Sequence, residues 1–246
     1  MKIIASKKIK SRLYLLIILI SILSGLTVGN QLVNHFTAID VSSNNLIQKT
    51  VIIDAGHGGP DGGTSAADGT LEKDINLQIA IKLNEILGSM GIKTLMTRNE
   101  DVSIHDETAE TIRQKKVSDI KNRLKMINET EEAVFVSIHQ NHFSNSKYSG
   151  TQVFYSKNHP HSQTLANYIR LPIISNLQPE NSREIKQSGS EIYLLYHAKN
   201  PAVMVECGFL SNENETQKLK NNQYQQKLAF LIALGIVDYL KTTEEI

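Results

Sequence analysis

Two histidines and two glutamates stand where apolar runs of the sequence give out. His57 follows Val51-Ile52-Ile53-Asp54 across the break at Gly56, and His139 closes Ala133 to His139 (AVFVSIH). Glu206 closes Ala202 to Glu206 (AVMVE), and Glu72 opens an amphipathic stretch. Apolar runs of this length read as buried strands, and open parallel sheets bind ligands outside the carboxyl ends of their strands. Two imidazoles and one carboxylate are the residue types of a catalytic zinc site, with the fourth position left for water. His57, Glu72 and His139 are therefore the candidate ligands of one Zn2+. Taken singly, each histidine also reads as a loop residue, and Glu72 as a complement to a helix dipole. Glu206 ends an apolar run, where an ionised group is costly unless a charge faces it. It is the candidate general base, tuned by burial and a cation, and the alternative is an ion pair with Arg98 or Arg123.

Other reactive side chains rank lower. His142 lies three residues after His139 and is the substitute ligand should Glu72 not reach the site. His159 and His161 fall in a polar loop and are expected in solvent. Strand alternation turns Cys207 away from Glu206 and into packing. Arg98 has the chemistry to hold a substrate carboxylate bidentately or to form a structural ion pair. The loop GHGGPDGG contains no Gly-Lys-Ser/Thr and breaks the G-x-G-x-x-G pattern at Asp61, so both nucleotide readings fail. Its glycines serve sharp turning and close approach instead.

These residues need a framework. Strands are expected at Val51 to Asp54, Lys93 to Thr97, Ala133 to His139, Gly150 to Ser156, Glu191 to Leu195 and Ala202 to Glu206. Between them, apolar positions at three- and four-residue spacing mark helices from Glu72 to Met90, Glu107 to Glu129, Leu165 to Leu177 and Gln223 to Lys241. Pro172 should kink or shorten the third. Strands alternating with helices predict an α/β sandwich whose sheet is mostly parallel.

The 246 residues are 40% hydrophobic and 21% charged, enough for one sizeable core. With 26 basic and 25 acidic residues the net charge is +1, and no nucleic acid partner is indicated. Lys2, Lys7, Lys8, Lys10 and Arg12 precede the apolar run Leu13 to Val28, the pattern of an export signal or signal-anchor. The run is at the short end of the ~20 residues that span a bilayer. The expected organisation is a signal peptide or signal-anchor over residues 1–29, a linker over 30–49 and a catalytic domain over 50–246. The domain is thus expected outside the cytoplasm, held at the membrane by its N-terminal helix. A lone cysteine excludes an intrachain disulfide.

The segments IIDAGHGGPDGG, LEKD, MTRNED, SIHQN and VECGFLSN occur in the order and spacing of a known family. From Thr50 onward the chain resembles the zinc-dependent N-acetylmuramoyl-L-alanine amidases of bacterial cell walls. The resemblance implies zinc ligands at His57, Glu72 and His139, a catalytic Glu206, and a three-layer α/β sandwich of the zinc exopeptidase and phosphorylase kind. It also implies hydrolysis of the amide between N-acetylmuramic acid and the L-alanine of the peptidoglycan stem peptide. GGPDGG and GFLSN look most like the sporulation branch, which strips stem peptides in spore cortex so that a partner deacetylase can form muramic δ-lactam for germination. An activating protein is a second implied partner. Ala55 and His142 depart from the family's usual proline and small residue. A zinc exopeptidase using Arg98 as carboxylate anchor, and a non-catalytic peptidoglycan-binding module, are the alternatives.

Overall fold

The computed structural model describes residues 49–242. The expected signal segment, the linker before Lys49 and residues 243–246 lie outside the described residues. In chain order the elements are β1 (Thr50–Ala55), α1 (Glu72–Ser89), β2 (Lys93–Met96), α2 (Ile112–Glu129), β3 (Ala133–Asn141) and β4 (Gln152–Tyr155). They continue with α3 (His161–Asn176), β5 (Lys186–Gln187), α4 (Tyr193–His197), β6 (Ala202–Phe209), α5 (Glu213–Lys220) and α6 (Asn222–Thr242). The strands form one six-stranded sheet in the order β2-β1-β3-β6-β4-β5. β2, β1, β3 and β6 run parallel, β4 is antiparallel to β6, and β5 follows β4. The sheet is therefore mixed, with its parallel half carrying the candidate ligands.

Period-two alternation sends the strand side chains into two cores. Val51 and Ile53 of β1, Val134, Val136 and Ile138 of β3, and Val203, Val205 and Cys207 of β6 face the buried stripes of α1, α3 and α6. Ile52, Phe135, Ala202 and Met204 point the other way, onto Ile127 of α2 and Leu194 and Leu195 of α4. Helices on both faces make three layers. Cys207 is fully buried in the first core, so alternation does turn it away from Glu206. Among the described residues no helix is long and apolar enough to cross a membrane.

Three expectations are corrected. Residues Glu191 to Leu195 do not form a strand: Tyr193–His197 is a helical turn that lays Leu194 and Leu195 on the second core. A short apolar run has no period of its own, and its packing partner decided it. Pro172 does not shorten α3, which continues through it to Asn176. A proline withholds the N–H that would bond the carbonyl four residues back, here Tyr168. That carbonyl lies against Gly235 of α6, whose missing side chain makes the approach fit. Finally, α2 begins at Ile112 instead of Glu107, because Thr111 and Gln114 form a reciprocal capping box that fixes the start.

At the carboxyl end of β1 the interior turns polar. Asp54 is fully buried and receives hydrogen bonds from Arg123, Ser137 and Thr97. Burial alone would raise its pKa, but the Arg123 guanidinium, the His139 ring and these hydrogen bonds hold it below the ordinary value. A depressed folded pKa contributes stability that is complete above the unfolded value of ~3.9 and is lost as pH falls through the folded one. Arg123→Leu strands this carboxylate and is expected to lower unfolding stability by about 3–5 kcal/mol at neutral pH. Urea unfolding at several pH values checks this: the deficit should narrow on acidification, as Asp54 becomes neutral.

Candidate metal centre

β1 ends at Ala55, and the chain then turns through Gly56 so that His57 points back over the sheet edge. His57 adopts a left-handed backbone (φ 62°), which costs a non-glycine residue roughly 1–2 kcal/mol. Its carbonyl is held by Arg123 Nη2 at 2.7 Å. The ring is held too: Nδ1 donates to Asp61 Oδ2 at 2.9 Å, and Nε2 lies 3.2 Å from Glu72 Oε2. Lys116 Nζ meets the other Asp61 oxygen at 2.7 Å. Burial pulls the His57 pKa down, yet the carboxylates of Asp61 and Glu72 outweigh it and raise it to about 9.

Glu72 opens α1 and is buried. Its Oε2 accepts the Thr64 N–H at 2.9 Å, and its Oε1 accepts the Gln140 N–H at 3.1 Å and the Asn76 amide at 3.3 Å. His139 Nδ1 lies 2.9 Å from the same Oε1. Burial would raise this carboxyl's pKa, but the two imidazoles hold it far below the ordinary range. The candidate ligand atoms of His57, Glu72 and His139 all lie within 4.8 Å of one another, the one such cluster among the described residues. His142 is exposed and outside it. His159 and His161, half-buried rather than solvated, pair with each other 5.5 Å apart at the opposite edge of the sheet.

β3 and β6 bring His139 and Glu206 side by side in register. Burial pushes the Glu206 carboxyl up to about 7, Glu72 adds to the rise, and the two imidazoles oppose it. Its Oε2 is buried with no hydrogen-bond partner. Such an orphan oxygen facing two imidazoles is what a cationic site looks like before its cation is counted. The donor set, two imidazoles and a carboxylate beside a free carboxylate, fits zinc.

Neither arginine pairs with Glu206. Arg123 is spent on Asp54, Asp119 and the carbonyls of Ala55 and His57. Arg98 is equally buried and donates to the carbonyls of Ala55, Gly56, Glu100 and Lys73, so it has no fork left for a substrate carboxylate. Sequence reasoning passed over Asp61, Asn76 and Gln140. Asp61 sits in the glycine loop and Asn76 one helical turn after Glu72, a spacing that could have pointed to it.

The sequence model of the family described as N-acetylmuramoyl-L-alanine amidase matches residues 51–238. The germination-specific N-acetylmuramoyl-L-alanine amidase of Bacillus subtilis (strain 168) is 35% identical over 191 residues, covering 78% of this chain and 79% of that protein. The CwlD amidase of Clostridioides difficile, solved in complex with the GerS lipoprotein, is 43% identical with a TM-score of 0.76 over 79% of this chain and 100% of that one. An N-acetylmuramoyl-L-alanine amidase from Clostridium difficile 630 is 33% identical with a TM-score of 0.68, over 80% of this chain and 98% of that one.

Two glycines let the ligands close up. A Cβ on Gly56 would collide with the His139 imidazole, and one on Gly63 would meet Glu72 Oε2 and the His57 ring. Gly56→Ala is expected to displace His139 and weaken zinc retention by at least ~10-fold, the lower end for disturbed ligand orientation. Competition with a chromophoric chelator reads this directly, while unchanged thermal unfolding of the metal-free protein shows the fold intact.

Proposed function

The chain belongs to the N-acetylmuramoyl-L-alanine amidase family, and from that premise we propose a one-zinc hydrolysis of the amide joining N-acetylmuramic acid to L-alanine of the stem peptide. The observation that carries the mechanism is the cluster of His57, Glu72 and His139 with the unpartnered oxygen of Glu206 beside it. Those three side chains would hold the ion, which when bound supplies Lewis acidity towards the scissile carbonyl and the attacking water.

The protein's own groups do the rest. Asp61 holds His57 by its Nδ1 and leaves Nε2 facing the cluster. A carboxylate only accepts, so Nδ1 carries the proton. Asn76 and the Gln140 N–H fix the orientation of Glu72. Glu206 takes the proton from water as its oxygen attacks the carbonyl carbon, and returns it to the departing alanine nitrogen. Burial favours the protonated form of this carboxyl, which suits a group that must hold a proton between the two transfers.

Likeness to a germination-specific amidase supports a role in spore cortex, where removal of the stem peptide exposes muramic acid for muramic δ-lactam formation by a deacetylase. Likeness to an amidase solved with a lipoprotein supports an extracytoplasmic protein partner, and the basic-apolar N-terminal sequence supports export with retention at the membrane. The exopeptidase alternative loses its anchor, because Arg98 is consumed by backbone carbonyls.

The test joins metal content to product. Wild-type protein is expected to hold one zinc and to release free stem peptides from purified peptidoglycan, followed by mass spectrometry. Glu206→Gln should keep the zinc and lose at least ~10²-fold in turnover, the usual size of a general acid–base effect. Near-normal turnover would remove Glu206 from the mechanism, and protein unable to hold zinc would overturn the ligand set.

A further inference from the structure

A cavity of about 850 Å3, walled by the loops around Tyr148 and Asn181 and by α5, adjoins the end of β6. Gln152, the first residue of β4, is in register with Glu206, and Phe209, three residues beyond Glu206, ends β6 beside the cavity. Arg183 stands in its wall. The guanidinium carbon lies 4.7 Å from the centre of the Phe209 ring and 5.6 Å from that of Tyr148. Its Nε donates to the Ser149 carbonyl at 2.9 Å.

This arginine is built differently from its neighbours. Arg98, Arg123 and Arg170 spend their terminal nitrogens on carbonyls or carboxylates. Among the described residues Arg183 Nη1 and Nη2 donate to nothing, although the rings and the Ser149 bond fix the plane. A fixed guanidinium with two parallel N–H groups free matches a carboxylate. Lys147 and Lys218 add positive charge to the same wall. Of its two acids, Glu215 turns inward onto the N–H groups of Gly150 and Phe209, leaving Glu180.

Resting on the amidase reading, we propose that Arg183 receives a carboxylate of the stem peptide and thereby selects an acidic peptide on the leaving-group side. Phe209 lies three residues beyond Glu206 across the irregularity where β6 shifts register against β3, so at most roughly 10 Å of chain separates them. An extended peptide advances ~3.3–3.6 Å per residue, so the carboxylate belongs to a residue about two to four positions from the scissile amide. The contact forms in the bound substrate and persists through the reaction, which makes it uniform binding: it acts on KM and leaves kcat unchanged.

The test uses the zinc-loaded full chain and two soluble disaccharide peptides, identical except that the stem carboxylates are free in one and amidated in the other. Wild type should show a lower KM for the free acid. Arg183→Gln should raise that KM ~10–100-fold, the worth of a charged hydrogen-bond pair, with kcat little changed and the amidated substrate unaffected. Arg183→Lys should recover part of the loss through charge alone. Equal losses on both substrates would make Arg183 a structural wall, and no loss on either would leave it without a role; both overturn the proposal. The amidase reading fails separately, if wild type cleaves neither substrate, and the proposal falls with it.

Discussion

Everything at the catalytic edge depends on how the buried carbonyls at the end of β1 are satisfied. The turn that carries His57 leaves the sheet ladder inside the protein, where unpaired carbonyl groups are costly. Arg98 and Arg123 supply the missing donors: both reach Ala55, Arg98 also reaches Gly56, and Arg123 reaches His57. Two guanidiniums at one turn repel, and burial together with Arg123 lowers the pKa of Arg98. Asp54 and Asp119 offset that repulsion as the direct partners of Arg123. The strained backbone of His57 is thus an imposed conformation, held by hydrogen bonds from below and by Asp61 from the side.

With His57 fixed, the remaining candidate ligands are placed by packing. α1 is clamped on the first core by Ile75, Ile79, Leu83 and Leu87, which sets its first residue, Glu72, over the sheet edge. The loop after β2 is tied to the glycine loop through Lys73, which donates to Gly59 and pairs with Asp101. Absent side chains matter as much here. Gly56 and Gly63 are the points where backbone approaches imidazole and carboxylate, so the cluster closes only because those positions carry no Cβ.

The substrate side follows a different logic. Glu206 leaves a buried oxygen unsatisfied, whereas Glu215, the third residue of α5, uses its Oε2 to hold the N–H groups of both Gly150 and Phe209. The first arrangement leaves a group free for chemistry, and the second builds a wall. In the proposed reaction Arg183, fixed in plane and unpaired at its tip among the described residues, would be to a substrate carboxylate what Glu206 would be to water: a group whose partner arrives from outside.

The parallel strands, the helix faces and the placement of His57, Glu72, His139 and Glu206 at one edge of the sheet were legible in the sequence, because burial on both faces writes continuous apolar runs and a polar residue at their ends interrupts them. The family resemblance lay there too, in five ordered motifs. Partners were not legible. Arg98 read equally well as a substrate clamp, since a guanidinium's use depends on which carbonyls the turn leaves bare. Residues 191–195 read as a strand, since a short apolar run takes the form of whatever surface it packs on. The antiparallel return of β4 and the convergence of Asp61, Asn76 and Gln140 on the ligands were likewise decided by tertiary structure. Residue types and periodicity are local properties of a chain, but hydrogen-bond partners 64 to 69 residues apart exist only once the sheet has assembled.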